Sequence, residues 1–241
     1  MLCYYAVSCL KGIMRRCSFG RDPGVTVFLA VAQEGTITLG CGETMSTGAL
    51  ARMCASFQRQ HPRVSFDFYT AGADELIERM EHGLIDLGLL LTPVEVSRFN
   101  YLVVPQKERW VALLRADDPL AVQEAVAKKD LLQGKVILPR RLHVQSTLAH
   151  WFGRDFRSLN VSAYSNLTTN AAAMVENGLG RALCIESSAP HWDPSRIVLK
   201  PLAPAIETES LLVWKRDRYF SLATEQFISF IEQELENHKD A

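Results

Sequence analysis

The stretch that decides the fold begins Gly35-Thr36-Ile37-Thr38-Leu39-Gly40-Cys41 and runs on to Leu91. Its first strand alternates apolar with small or polar residues, and a turn rich in hydroxyl side chains follows. A helical pattern, a second strand over Val64–Tyr69 and a second helix come next. The segment then ends in the apolar run Leu87–Leu91, which is typical of a strand buried on both faces. This order predicts an α/β fold with a parallel sheet and right-handed crossovers.

Two turns of this stretch are candidates for a binding site. In parallel sheets, ligands bind outside the carboxyl ends of the strands. Here those ends are Gly42–Thr47 and Thr70–Gly72, and both lead into helix N-termini, where free N–H groups and the helix dipole favour an anion. The sequence therefore predicts an anion-binding site at these turns.

Several segments, taken in order, resemble the effector-binding domain of LysR-type transcriptional regulators. They are Gly35–Gly40, Thr44, Phe57–Val64, Leu84–Leu89, Asp117–Ala121, Asp130–Leu132 and Met174–Leu183. The resemblance covers about Gly35 to Glu236. It implies two Rossmann-like lobes with a central cleft, the fold of type 2 periplasmic binding proteins. The implied function is to sense a small anionic metabolite and to regulate transcription.

The resemblance also divides the chain. Residues 1–34 form an N-terminal segment, and residues 35–241 form the effector-binding domain. Lobe I takes about 35–104 and 203–241, and lobe II about 105–202. We expect Tyr101–Val104 and Trp110–Leu114 to be strands that flank the charged segment Gln106–Arg109, which would be the outbound crossover between the lobes. A small ligand would be enclosed in the cleft between the two lobes.

The candidate effector-binding residues come from both lobes. They are Thr44, Met45, Ser46, Thr70, Gly72, Arg140, Asn166 and Thr168. The resemblance implies effector contact for Thr44 and Asn166. The pair Arg140-Arg141 follows a strand and could place a guanidinium over the cleft for bidentate carboxylate binding. Other roles stay open: Thr44 or Ser46 could cap a helix, Gly72 could supply a permissive φ, and Arg140 could lie in solvent. Asn166 could bind effector and cap a helix at the same time.

Composition argues against several other kinds of protein. The 241 residues are 48% hydrophobic and carry a net charge of −1, which permits a sizeable core but gives no basic field for gripping nucleic acid. The longest uncharged apolar stretch, Met1–Leu10, is too short for a membrane span and lacks the preceding positive charges of a signal peptide. We therefore expect a cytoplasmic protein without membrane contact. Cys41, Cys54 and Cys184 fall on apolar faces, which favours core packing.

The sequence does not favour an enzyme, a metal site or a cofactor. Gly40-Cys41-Gly42 follows a strand, but Met45 stands where a dinucleotide fingerprint needs its third glycine. No nucleophile elbow, Walker loop or zinc-protease motif is present. A stand-alone small-molecule (solute) binding module is the alternative to a regulator, and catalysis is a more distant one.

The N-terminal segment departs from the family. Val25–Thr38 resembles the opening helix of the family's winged helix-turn-helix, but no recognition helix, wing or linker helix follows it. We interpret this as an internal deletion or an assembly fault; the alternative is an unrelated lead-in. The family binds DNA through that motif, so we expect sequence-specific DNA recognition to be lost in this chain.

The resemblance also implies a homodimer or a higher oligomer. Family effector domains pair antiparallel, with the first helix of one subunit against the second lobe of its partner. The helix face turned away from the predicted sheet carries Ala49, Arg52, Ser56 and Arg59. A mixed polar and apolar interface is therefore expected there.

Overall fold

The structure is a computed structural model, and it describes residues 34–188 and 192–237. These residues form an α/β protein of two lobes, as the sequence predicts. The first lobe opens with the predicted β-α-β-α-β unit. Its elements are β1 (Glu34–Cys41), α1 (Met45–Gln60), β2 (Arg63–Thr70), α2 (Ala73–Glu81) and β3 (Leu87–Leu91).

The chain then crosses to the second lobe on β4 (Phe99–Arg115) and later returns. The second lobe contains β5 (Val126–Ala127), α3 (Lys128–Leu131), β6 (Lys135–Pro139), α4 (Leu142–Phe152), β7 (Asn160–Ser165), α5 (Thr168–Glu176), β8 (Arg181–Ile185) and β9 (Ile197–Ala203). Short 3-10 helices occupy Pro119–Val122, Gly153–Ser158 and Glu186–Ser188. The returning elements are β10 (Glu207–Lys215) and α6 (Leu222–Asn237).

The strands follow the order β2-β1-β3-β10-β4-β8-β6-β7, and β9 pairs with β4 and β5. In the first lobe, β1 is parallel to both β2 and β3, which confirms the predicted parallel unit. In the second lobe, β6 is parallel to both β7 and β8. The carboxyl ends of both parallel sets therefore carry the strand-to-helix turns of their lobes, and the sheets place those turns beside the space between the lobes.

Strand β4 corrects the expectation of two strands flanking a separate crossover. It is one strand of 17 residues. Residues 99–104 and 107–109 pair with β10, and residues 110–115 pair with β8 and β9. The charged segment stays extended because its side chains alternate: Lys107 and Arg109 are exposed, whereas Glu108 between them is buried.

Each lobe has its own apolar core. In the first lobe, α1 and α6 pack on one face of the sheet, and the Phe57 and Phe227 rings meet edge-on with centroids 5.1 Å apart. In the second lobe, Trp151 and Phe152 of α4 pack with Leu138 and Leu183 of the sheet. None of the helices in the described ranges has the length and apolarity that a membrane span requires.

Three of the segments that carry the family resemblance meet at Arg181 in the second lobe. The Arg181 guanidinium donates to both carboxylate oxygens of Asp118, at 2.8 and 3.0 Å, and to the main-chain oxygen of Asp130, at 2.8 Å. Both side chains of the ion pair are mostly buried. These residues therefore hold the lobe together and do not contact the cleft.

Two earlier segments meet in the same way in the first lobe. The Asp86 carboxylate accepts the Thr38 N–H at 3.0 Å and an Arg218 N–H at 3.0 Å, and the Asp86 N–H donates to the Thr38 main-chain oxygen at 2.9 Å. This pairing fixes the turn before β3 against β1. The landmarks thus mark structural contacts in both lobes.

We expect Arg181→Ala to lower the free energy of unfolding by about 2–3 kcal/mol, because it leaves the Asp118 carboxylate buried without its charged partner. Urea unfolding followed by circular dichroism would measure the change. The matched control is Arg115→Ala, which breaks an exposed ion pair with Asp117 and should change stability little. Equal effects of the two substitutions would contradict this role for Arg181.

Candidate functional site

A cleft of about 470 Å³ lies between the lobes, at the carboxyl ends of the parallel strands. Both lobes and the connecting strand β4 contribute to it. Its lining includes 42–44, 71–76 and 89–92 from the first lobe, Trp110 from β4, and 137–142, 165–168 and 183–185 from the second lobe. The cleft therefore forms at the strand-to-helix turns where the sequence predicts a binding site. The second lobe supplies its other wall.

The structure brings together only part of the predicted site. The lining residues among the candidates are Thr44, Gly72, Arg140, Asn166 and Thr168. The other candidates, Met45, Ser46 and Thr70, do not line the cleft. Met45 is 54% exposed at the start of α1, and Ser46 is 0% exposed. Thr70 is exposed at the end of β2, and Ala71 after it begins that part of the wall.

Two lining residues of the first lobe occupy N-cap positions but form no side-chain capping hydrogen bond. Thr44 is the N-cap residue of α1, but its hydroxyl makes no capping hydrogen bond. Gly72 is the N-cap residue of α2 with φ −69°, which any residue can adopt, and a Cβ built on it would meet no atom within 4 Å. A permissive φ therefore does not explain this glycine. Both residues line the cleft and are available to a ligand.

On the opposite wall, Asn166 does not cap α5 either. The N-cap residue is Leu167, and no group in the described ranges forms a hydrogen bond with the Asn166 side chain. The Thr168 hydroxyl lies 2.7 Å from the Ser188 hydroxyl, which in turn donates to the main-chain oxygen of Ile185. The N-terminal end of α5 thus offers an amide and a hydroxyl to the cleft.

Charged side chains close the cleft on two sides. The Arg141 Nε donates to the Asp74 carboxylate across the cleft at 2.7 Å, and the Arg141 side chain is only 13% exposed. On the other side, the Thr169 hydroxyl lies 2.9 and 3.0 Å from the two carboxylate oxygens of Glu43. Sequence reasoning considered Arg141 only together with Arg140, as a possible source of a carboxylate-binding guanidinium. It did not select the other three residues, although Glu43 adjoins a selected one.

Arg140 differs from its neighbour. It lines the cleft, is exposed, and has no acceptor for its guanidinium among residues 34–188 and 192–237. The floor between the walls is apolar, with contributions from Leu90, Leu91, Leu138 and Leu183. The cleft therefore combines an apolar floor with a polar rim that contains an unpaired cation.

The helix N-termini differ from the expectation in one respect. The N–H of Ser46, in the first turn of α1, donates to the Glu108 carboxyl group at 3.2 Å, and the Ser46 hydroxyl donates to the same oxygen at 2.9 Å. A side chain of the protein therefore already occupies the N-terminus of α1. This contact explains why Ser46 faces away from the cleft.

The cysteines of the described ranges are buried thiols. Burial raises the pKa of both Cys54 and Cys184 to about 12. Burial also raises the pKa of Cys41, against the opposing effect of hydrogen bonds to Thr47 and Thr70. Within the same ranges, no three His, Cys, Asp or Glu side chains are grouped as metal ligands.

The fold and the cleft define a two-lobed α/β ligand-binding domain. The family model described as the LysR substrate binding domain matches residues 31–236, so the chain belongs to this family. The HTH-type transcriptional regulator YvbU of Bacillus subtilis is 25% identical over 200 residues, which cover 83% of this chain and 67% of the relative. The chain spans about two thirds of the length of the relatives it matches.

Solved structures share the fold. The effector-binding domain of QuiR in complex with shikimate superposes with a TM-score of 0.72 at 18% identity, covering 85% of this chain and 99% of that one. The reduced OxyR regulatory domain of Pseudomonas aeruginosa gives a TM-score of 0.62 at 16% identity, covering 83% and 98%. At these identities the similarity concerns the fold.

We expect Cys54 and Cys184 to resist alkylation by iodoacetamide at pH 8 in the folded protein. A thiol pKa of about 12 leaves about one molecule in 10⁴ as the reactive thiolate, and burial blocks access as well. Mass spectrometry of the peptides that contain these residues would measure the modification. The unfolded protein in urea is the control and should be modified fully. Rapid alkylation in the folded state would contradict the burial of these thiols.

Proposed function

We propose that the cleft binds a small anionic metabolite. In this proposal the chain is the effector-binding part of a LysR-type regulator, and the bound metabolite controls its effect on transcription. The observation that supports this best is the guanidinium of Arg140, which has no partner in the described part of the chain, beside the ion-paired Arg141. A carboxylate can accept two parallel hydrogen bonds from a guanidinium, which gives both affinity and orientation. Arg140 is therefore the residue that we assign to the anionic group of the effector.

Other groups of the cleft would hold the rest of the effector. The hydroxyls of Thr44 and Thr168 and the amide of Asn166 can donate to oxygen atoms or accept from hydroxyl groups. The apolar floor suits a carbon skeleton, and a volume of about 470 Å³ lies in the range of small-molecule sites. Because Glu108 occupies the N-terminus of α1, we assign no anion to that helix.

The effector can be sought with a panel of small carboxylates, amino acids and aromatic acids. Shikimate belongs in the panel because a solved domain of the same fold binds it. A ligand that binds only the folded state at 100 times its Kd adds about 2.7 kcal/mol to stability, which a thermal-shift screen detects. Neutral amides of the same acids provide the matched comparison for the anionic group.

We expect Arg140→Gln to weaken the binding of a carboxylate found in this screen at least about tenfold, because the charge-assisted hydrogen bonds are lost. Thr44→Val should weaken it by about 1–3 kcal/mol if the bound polar group is left unpaired. Isothermal titration calorimetry would measure both effects. Arg157→Gln, at an exposed residue outside the cleft, is the matched control. Unchanged affinity in a folded Arg140→Gln protein would remove Arg140 from the site.

We also propose that the chain forms a homodimer through α1. A groove of about 540 Å³ lies between α1, β4 and α6, and Ala49, Arg52, Ser56 and Arg59 all line it. These are the residues that the sequence places on the outer face of α1. In this arrangement, the groove receives the second lobe of the partner subunit. LysR effector domains form oligomers, which supports an interface of this kind.

Light scattering coupled to gel filtration should show a dimer at tens of micromolar. Arg52→Glu should shift the chain toward monomer, because it reverses a charge within the groove. Arg98→Glu reverses an exposed charge outside the groove and should leave the dimer intact. A wild-type chain that stays monomeric, or equal effects of the two substitutions, would contradict the interface.

DNA recognition lies outside the two lobes in this proposal. The segment Val25–Thr38 resembles the start of a helix-turn-helix, and its last residues, from Glu34 on, belong to β1. Its remaining residues, 25–33, lie outside the described residues, as do residues 1–24. We propose that this chain binds effector without selecting a DNA sequence. A consensus site recovered by selection from random duplexes would contradict this.

A cytoplasmic location goes with the proposed role, since a regulator acts where the DNA is.

A further inference from the structure

Glu108 is a buried carboxyl residue that does not line the cleft. It is 2% exposed in the middle of β4, the strand that connects the lobes. One carboxyl oxygen accepts the N–H and the hydroxyl of Ser46 from the first lobe. The other accepts the hydroxyl of Ser187, which lies in the 3-10 helix after β8 in the second lobe. Glu108 therefore joins the two lobes through its own side chain.

Ser210 of the other connecting strand completes the cluster. Its hydroxyl donates to the Ser46 hydroxyl at 2.8 Å, and Ser46 and Ser210 are 0% and 1% exposed. Burying a carboxyl group is costly unless its oxygens accept hydrogen bonds. The cluster supplies those donors from both lobes, so separating the lobes at this point would leave a buried carboxyl group with fewer partners.

The cluster continues into both walls of the cleft. Ser46 lies two residues after the lining residue Thr44. Glu43, which directly precedes Thr44, accepts a hydrogen bond from the Thr169 hydroxyl of the opposite wall. On the second lobe, Ser187 precedes Ser188, whose hydroxyl contacts lining residue Thr168. Hydrogen bonds and short stretches of chain therefore form a closed circuit. It leads from Glu108 to Ser46 in the first lobe, across the cleft through Glu43 and Thr169, and back through Ser187 in the second lobe.

We propose that Glu108 is a positioning residue, which couples the two walls of the cleft without touching the ligand. It holds the first turn of α1 and the segment 186–188 in a fixed relation, and so sets the separation of the lining hydroxyls Thr44 and Thr168. The flanking ion pair between Arg109 and Glu186, at 3.1 Å, is exposed and lies beside the same junction. Within the cluster, it is the buried Glu108 that contacts both lobes directly.

A purely local role would be to cap α1. These two roles differ in what Ser187 does, because Ser187 contacts Glu108 from the second lobe and has no hydrogen bond to α1. If Glu108 only caps the helix, removing the Ser187 hydroxyl affects residues near 187 alone. If Glu108 couples the lobes, the same substitution loosens the Ser46 amide of the other lobe.

The test is hydrogen exchange measured by NMR on the whole chain without added ligand. In Ser187→Ala, we expect the Ser46 amide to exchange about tenfold faster, because the carboxyl group that holds it has lost a partner in the other lobe. In Glu108→Ala, the amides of 186–188 and of the first turn of α5 should also exchange faster. Glu108→Gln should stay close to wild type, since its amide can accept from Ser46 and donate to Ser187.

Ser162→Ala is the matched control, because its hydroxyl bonds to the main-chain oxygen of Val136 within the second lobe and is not part of the cluster. Circular dichroism would establish whether each variant is folded. An unchanged Ser46 amide in folded Ser187→Ala would overturn the coupling. The proposal concerns the walls of the proposed effector site, but the experiment uses no effector, so its failure is distinct from a failure to bind carboxylates.

Discussion

The pairing of β4 with β10 is the constraint on which the two-lobed structure depends. Because β4 continues from one sheet into the other, the lobes share a strand and cannot be arranged independently. Backbone hydrogen bonds along an antiparallel pair fix both register and separation. The lobes are thus held together by a continuous backbone ladder along this connection. Elsewhere the cleft is bridged only by contacts between side chains in the described ranges, namely Arg141 with Asp74 and Glu43 with Thr169.

The charged groups around the cleft differ in whether they have a partner within the protein, and this difference distinguishes the structural groups from the candidate ligand-binding group. The N-terminus of α1 is paired internally with Glu108, and Arg141 is paired with Asp74. Arg140 lines the same cleft and has no such partner within the described chain. A guanidinium that lines a concave site without an acceptor of its own can form paired hydrogen bonds with an anionic ligand, and this is the physical basis of the proposed specificity.

The family landmarks and the residues that line the cleft overlap, for example at Thr44, but the charged landmark residues lie outside the cleft. The landmark segments meet at Arg181 in one lobe and at Asp86 in the other, where they join loops to strands. They therefore identify the scaffold. In the proposed function, the effector is selected by side chains such as Arg140, which the landmarks do not include.

The sequence by itself determined the β-α-β-α-β unit, the parallel sheet and the turns that face the cleft, because strand and helix periodicity are local properties of the chain. The tertiary structure alone decided that Ser46 turns to a buried Glu108 and that β4 is continuous. It also decided that Asp74 pairs with Arg141, whereas Arg140 has no such partner among the described residues. The partners in these contacts are 62 and 67 residues apart, and no local pattern specifies which distant groups meet when two lobes pack.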